Sequence, residues 1–175
     1  MNLTIDNLPD RSYIPILLNQ LGLINIGVEL GVADARYSKI VLEKSHLNTF
    51  YGIDRWSDRK HGVKEYKKVL KEAKKWNGRF VVVRKSFAEA LPMFEDNFFD
   101  FIFIDGYANK GKNSRAMADW WTKLKSGGIY AIHDYTPMYP ANVHAIKTWA
   151  KEARVKGFVT GEAPNRKPSW LTRKE

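Results

Sequence analysis

Seven consecutive residues, Phe98-Phe99-Asp100-Phe101-Ile102-Phe103-Ile104, form an almost unbroken apolar run. A strand that packs on one face only alternates apolar and polar positions. A run without that alternation is expected for a central parallel strand buried on both faces. This stretch therefore asks for helices on both sides of a sheet, and for crossover connections that return the chain to the same edge.

The remaining sequence alternates in the way this requires. Tyr13, Ile14, Leu17, Leu18 and Leu21 have helical spacing within Pro9 to Leu21, with Pro15 marking either the true start or a kink. Ile24 to Leu30 reads as the first strand, Asp34 as the cap of a helix through Tyr37, Ile40, Val41 and Leu42, and Thr49 to Ile53 as the second strand. From Val63 to Trp76 one stripe is apolar (Val63, Tyr66, Val69, Leu70, Ala73, Trp76) and another carries Lys64, Lys67, Lys68, Lys71 and Lys75, until Asn77-Gly78 stops the helix. Phe80 to Val83 is the next strand, and Ser86 caps a short helix ending near Met93. Beyond the apolar run come a polar segment (Tyr107 to Ser114), a helix with Met117, Trp120, Trp121 and Leu124, a turn at Ser126-Gly127-Gly128 and a strand over Ile129 to Ile132. A helix over Asn142 to Lys156 follows, then short closing strands at Phe158 to Thr160 and Ser169 to Thr172 around the loop Gly161 to Pro168. The pattern predicts an α/β fold: a Rossmann-like three-layer α/β/α sandwich whose mostly parallel seven-stranded sheet has an antiparallel last strand. It is expected to be one domain over residues 1–175, with 1–22 as an N-terminal helix or lid and 23–175 as the core.

In a sheet of this kind ligands bind outside the carboxyl ends of the strands, so strand ends are where function is sought. Val28-Glu29-Leu30-Gly31-Val32-Ala33-Asp34-Ala35 followed by Tyr51-Gly52-Ile53-Asp54 reads as strand, small-residue turn, helix, and second strand tipped with an acid. That is the layout of a nucleoside-binding crossover: the turn admits a ligand close to backbone N–H groups, and the acid can accept from ribose hydroxyls. A dinucleotide needs glycines where the backbone meets its pyrophosphate. Here Ala33 and Arg36 follow Gly31 at those positions, so a ligand with a ribose and no phosphates fits better. Four strand ends carry acids that converge on one edge, namely Glu29, Asp54, Asp105 and the His133-Asp134 pair. The lone His46, His61 and His144 show no metal-ligand spacing and read as surface or packing residues.

Glu29-Leu30-Gly31, Gly52-Ile53-Asp54, Phe101-Ile102-Phe103-Ile104-Asp105-Gly106, Leu124-Lys125-Ser126-Gly127-Gly128 and His133-Asp134-Tyr135 together resemble the motifs of class I S-adenosylmethionine-dependent methyltransferases. The resemblance runs from about Ile24 to Thr172 and is nearest to the small-molecule and sugar O-methyltransferase-like group whose fifth strand ends in His-Asp. It implies that Glu29, Gly31 and the Ala33 turn hold the amino-acid end of S-adenosylmethionine, and that Asp54 holds the ribose. Arg55 or Trp56 would lie beside the adenine, with Ser86 and Phe87 at its ring edge and Asp105 near the sulfonium. In metal-dependent relatives, acids at the ends of the fourth and fifth strands bind a divalent cation, which here points to Mg2+ on Asp105 and Asp134, with His133 as a further ligand. The residues also allow His133 as a general base, or as a purely structural partner of a carboxylate. The implied catalytic set is Asp105, His133 and Asp134. Relatives carry Asp-Gly-x-His-x-Tyr after the fourth strand, whereas this chain reads Asp105-Gly106-Tyr107-Ala108-Asn109-Lys110 and lacks that histidine.

Composition limits the alternatives. At 175 residues the chain has length for one domain with a real core, and 44% hydrophobic and 13% aromatic content is ordinary. With no cysteine, disulfides, thiolate zinc sites and cysteine nucleophiles are excluded. No charged-then-apolar N-terminal stretch or long apolar run is visible, so a cytoplasmic location without a membrane span is expected. The net charge of +10, with Arg55, Arg59, Lys60, Lys110 and Lys112 in segments available as lids (the N-terminal helix, Trp56 to Gly62, Tyr107 to Ser114, Tyr135 to Asn142), suits a small-molecule acceptor that is polar or anionic, flanked by Tyr107, Tyr135 and Tyr139. The same charge keeps open a basic nucleic-acid-binding protein, or an RNA-directed methyltransferase, gripping phosphates with the lysine face of the Val63 to Trp76 helix. The Asn/Asp-Pro-Pro-Tyr/Phe motif of base N-methylation is absent. A nucleotide-dependent oxidoreductase is disfavoured by Ala33 and Arg36.

Overall fold

The computed structural model describes residues 2–106, 113–164 and 167–175; the stretch from Tyr107 through Lys112, named above as a candidate lid, lies outside them. Seven strands, β1 (Ile26–Leu30), β2 (Thr49–Asp54), β3 (Phe80–Arg84), β4 (Phe99–Ile104), β5 (Leu124–Ile132), β6 (Phe158–Val159) and β7 (Trp170–Arg173), form one sheet in the order β3-β2-β1-β4-β5-β7-β6. β1 to β5 pair in parallel, and β7 runs antiparallel to both of its neighbours. The helices are α1 (Ile14–Gln20), α2 (Arg36–Lys44), α3 (Val63–Ala73), α4 (Phe87–Ala90), α5 (Asn113–Trp121) and α6 (Pro140–Glu152). The strand order reverses between β1 and β4, the switch point at which crossovers leave on opposite faces and a crevice opens.

The apolar run is the central strand. All six residues of β4 are buried, and they divide between two hydrophobic layers. Phe101 and Phe103 join Phe50, Phe80, Ile129 and Leu171 on the face covered by the N-terminal segment, α2 and α3. Phe99, Ile102 and Ile104 join Val28, Leu30, Ile53, Tyr130 and Ile132 on the face covered by α4, α5 and α6. Each fully buried phenylalanine contributes on the order of 2 kcal/mol relative to exposure, so the double-sided layer supplies much of the stability. Asp100, the one acid in the run, is buried at the opposite end of the strand from the switch-point crevice. Its carboxylate accepts from the Asn25 amide at 2.7 Å and from Lys125 Nζ at 2.7 Å.

Local chemistry explains the element ends. Asp10 accepts from the Ser12 amide at 2.6 Å and starts a 3-10 turn over Arg11–Tyr13, and Pro15 sits in the first turn of α1, so it marks a start and no kink. Ser86 and Glu89 form a reciprocal capping box at α4. Asn77 in the left-handed region ends the helical stretch after α3. Three expectations are corrected. Leu124 lies beyond α5, which ends at Trp121, and begins β5. Asp34 does not cap α2: the cap is Ala35 at φ +65°, and that reversal turns the Asp34 carboxylate toward Arg36, whose Nε lies 2.8 Å away. Ser126-Gly127-Gly128 is no separate turn but part of β5, which begins at Leu124 and absorbs the glycines in an irregular register between Phe99 and Phe101 of β4. The lysines at 64, 67, 68, 71 and 75 are exposed, as a helix packing its other stripe on a sheet requires.

Candidate active site at the carboxyl edge of the sheet

β1 ends in a turn that the neighbouring strands leave no room to vary. Gly31 has φ +98°, and a Cβ there would stand 2.3 Å from the carbonyl oxygen of Asp105. The Gly31 amide donates to Ile53 O at 2.8 Å and the Asp105 amide to Leu30 O at 2.8 Å, which ties the ends of β1, β2 and β4 together. Asp54, at the tip of β2, holds the same turn from the other side. Its Oδ2 accepts from the amides of Val32 and Ala33, both at 3.0 Å, and its Oδ1 from the Trp56 amide at 2.9 Å. A carboxylate offers about four lone-pair positions, so most of its capacity goes to the turn and one position is left for a ligand hydroxyl.

Between these elements lies a cleft of about 200 Å³. Gly31, Ala33, Asp54, Phe87, Asp105 and Gly106 line its inner side, and Arg55, Ser57, Asp58 and His61 its outer side. The Phe87 ring lies so close over Gly106 that a Cβ there would be 2.8 Å from it. Ser57, Asp58 and His61 lie in the Trp56 to Gly62 segment expected as a candidate lid, though none of the three is expected individually as a cofactor residue and His61 is expected as a surface or packing residue. Asp58 folds this segment back: its Oδ1 accepts from the Lys60 and His61 amides at 2.8 and 2.7 Å.

Three predicted cofactor residues sit elsewhere than on the cleft wall. Trp56 is 1% exposed at φ +47°, its ring against Tyr66 and its Nε1 donating to Ala33 O at 2.8 Å; the left-handed backbone swings the indole inward, where it braces the turn. Ser86 has its hydroxyl engaged with Glu89 in the cap of α4. Glu29 is buried beneath the turn, where Ser38 Oγ donates to its carboxyl, and burial holds that carboxyl well above the usual carboxylate range.

The ends of β4 and β5 bring the predicted catalytic residues together. One ligand atom from each of Asp105, His133 and Asp134 lies within 4.8 Å of the others. His133 Nε2 is 3.4 Å from Asp134 Oδ1, and its Nδ1 is 3.3 Å from Ser169 Oγ. Asp134 has φ +59°, a backbone fixed by Asn142, whose Nδ2 donates to the carbonyls of His133 and Asp134 at 3.0 and 3.1 Å. Two cations that no sequence motif announced complete the cluster. Arg11 Nη1 donates to Asp105 Oδ2 at 3.2 Å, and Lys167 Nζ lies 3.9 Å from Asp134 Oδ1 while donating to the Tyr139 hydroxyl. Burial pushes the Asp105 carboxyl up to about 6 against the pull of Arg11, and raises Asp134 as well. Burial, Arg11 and Lys167 together push the His133 imidazole down to about 3, so the ring is neutral at physiological pH.

A seven-stranded sheet with one antiparallel strand, carrying a nucleoside-type turn without phosphate-facing glycines, defines a class I S-adenosylmethionine-dependent methyltransferase. The chain belongs to the methyltransferase domain family, which matches residues 24–135. No curated protein matches it in sequence. Among solved structures it is similar to the Bacillus cereus O-methyltransferase in complex with S-adenosylhomocysteine, with a TM-score of 0.71, 17% identity, and coverage of 93% of this chain and 80% of that one. It is also similar to the Burkholderia thailandensis 1,6-didemethyltoxoflavin-N1-methyltransferase bound to 1,6-didemethyltoxoflavin and S-adenosylhomocysteine (0.64, 16%, 94% and 77%). A third is the Geobacter metallireducens precorrin-6y C5,15-methyltransferase (0.67, 17%, 91% and 86%). The names of these three specify oxygen, nitrogen and carbon methylation, so the shared fold leaves the acceptor atom to the site itself. Among the described residues, no helix is long and apolar enough to cross a membrane.

Proposed function

We propose that the protein transfers the methyl group of S-adenosylmethionine to an oxygen of a small polar or anionic acceptor. The observation that carries this reading is that Asp105 and Gly106 line two cavities at once: the cleft beside Asp54, and a smaller recess lined also by His133, Asp134 and Asn142. A cofactor in the first and an acceptor over the second would meet at Asp105. In this reading Asp54 and the Gly31–Ala33 turn hold the ribose and the amino-acid end, Arg55 and Phe87 border the adenine, and Trp56, Ser86 and Glu29 support the wall from behind. Arg11 and Lys167 favour an acceptor that carries negative charge.

The chemistry asks little of the protein. The acceptor oxygen attacks the methyl carbon, the carbon–sulfur bond breaks in line, and the sulfonium becomes a neutral thioether; alignment supplies most of the acceleration. The acceptor proton must leave. Asp105, raised to about 6, is matched to receive it near neutrality, whereas His133 at about 3 is a poor base and a good neutral hydrogen-bond acceptor. Asp105, Asp134 and His133 have the chemistry of a divalent-cation site, but Arg11 already engages Asp105 and Lys167 stands by Asp134. Mg2+ does not fit beside them, and no step is routed through it.

The test is to incubate the protein with S-adenosylmethionine and a panel of hydroxylated carboxylates and sugars, reading methylated product by mass spectrometry. O-methylated product that is lost in Asp105→Asn supports the reading; methylation only at nitrogen or carbon, or none from a protein that binds S-adenosylhomocysteine, overturns it.

A further inference from the structure

We propose that Arg11 takes the place of a divalent metal at the Asp105–His133–Asp134 cluster, making the site metal-free by construction. The inference concerns the same cluster as the proposed transfer but does not need it: it is a statement about cation occupancy, tested with no cofactor or acceptor present.

The cluster by itself is a cation site. Two carboxylates and a neutral imidazole offer ligand atoms within 4.8 Å of one another, a donor set that a hard or borderline divalent ion accepts. One of the two Asp105 carboxylate oxygens, Oδ2, is already engaged by the guanidinium, with Arg11 Nη1 3.2 Å away. A small divalent ion needs oxygens at about 2.1 Å, and it cannot approach this carboxylate without meeting a fixed positive charge in a poorly screened setting. Lys167, 3.9 Å from Asp134 Oδ1, supplies a second charge. The two carboxylates are thus balanced by two cations before any ion arrives.

Arg11 is built in, not an arm that swings aside. Its side chain is 15% exposed. The guanidinium lies over Tyr37 at 5.0 Å and Phe103 at 6.0 Å, and the Tyr37 hydroxyl donates to its carbonyl at 3.3 Å. The segment that carries it is anchored on both sides by buried Leu8, Ile14, Leu17 and Leu18, and Leu8 O accepts from Gly161 at 2.9 Å, in the loop that leads to Lys167. Among the described residues its buried Nε has no hydrogen-bond partner. A buried donor left unpaired is costly, so the side chain is held here by the Nη1 contact to Asp105, by charge and by ring packing, at the expense of Nε.

The experiment is a Mn2+ titration of the full chain, freed of metal by chelation, followed by electron paramagnetic resonance. Wild type is expected to show no saturable site at millimolar Mn2+. Arg11→Gln is expected to gain one site with at least tenfold tighter binding, and Arg11→Gln with Asp134→Asn to lose it again. If Arg11→Gln does not fold, Arg11→Met, which keeps apolar packing on Tyr37 and Phe103, takes its place. Saturable binding to wild type that Asp105→Asn abolishes would overturn the proposal, as would a folded charge-removed variant that still binds no Mn2+. A parallel titration with S-adenosylhomocysteine separates failure here from failure of the transferase reading.

Discussion

Arg11 and Asp105 stand 94 positions apart in sequence and meet through Nη1 and Oδ2 at 3.2 Å. The contact joins the N-terminal turn to the end of the central strand, at the residue shared by the two cavities. It engages the Asp105 side chain and favours its charged form against the effect of burial.

Asp105→Asn keeps the shape of the side chain but cannot take a proton. Turnover is expected to fall by roughly 10²- to 10⁴-fold, the usual worth of a positioned base, with S-adenosylhomocysteine affinity changed much less. Steady-state kinetics beside a calorimetric titration separate the two effects; equal losses in both would make Asp105 a cofactor residue only.

The rate should rise with pH through an apparent ionisation near 6, the value to which burial pushes Asp105, because only the carboxylate can receive a proton. His133, pushed down to about 3, adds no second limb in that range. A kcat/KM profile of wild type against His133→Gln checks this. Removal of the limb by the His133 substitution would transfer the base role to the imidazole.

His133 also sets an acid limit on stability. Its folded value, about 3, lies below the ordinary 6.5, so between those values the unfolded chain binds a proton that the folded protein refuses. The contribution is fully present above pH 6.5 and is lost as pH falls toward 3, at up to about 1.4 kcal/mol per unit. Asp105 works the other way between 3.8 and about 6 and offsets part of the loss. Urea midpoints at pH 7.5 and 5 should therefore fall less for His133→Gln than for wild type, and an equal fall would remove His133 as the cause.

Asp54→Ala deprives the amides of Val32, Ala33 and Trp56 of their acceptor. A destabilisation of about 1–3 kcal/mol is expected, together with weaker cofactor binding as the turn loosens. Gly31→Ala is the harsher change: it combines strain at φ +98° with a Cβ 2.3 Å from Asp105 O, for a loss of roughly 3 kcal/mol or more. Thermal melts rank the two, and Gly31→Ala melting like wild type would contradict the packing described for the turn.

The fold was legible because its determinants are local or periodic. The double-sided burial of β4 is written in its missing alternation, and the start of α4 in the capping residue Ser86. The convergence of Asp54, Asp105 and Asp134 on one edge follows from strand ends in a parallel sheet, whatever the loops do. What stayed hidden depends on tertiary geometry. Trp56, expected beside the adenine, is turned inward by a left-handed backbone that no sequence pattern announces. The depth of Glu29 beneath the turn, with its carboxyl on Ser38, is likewise a product of packing that the strand-end pattern does not carry. Arg11 and Lys167 carry no motif, and only the docking of the N-terminal segment and of the loop before β7 brings them to the acids.

The most direct single measurement is calorimetric titration of the metal-stripped protein with S-adenosylhomocysteine, repeated with Mg2+ and again with Asp54→Ala. The account predicts one saturable micromolar site, unchanged by Mg2+ and weakened in the variant. No binding, or binding that appears only with Mg2+, would contradict a metal-free cofactor cleft between Asp54 and Asp105.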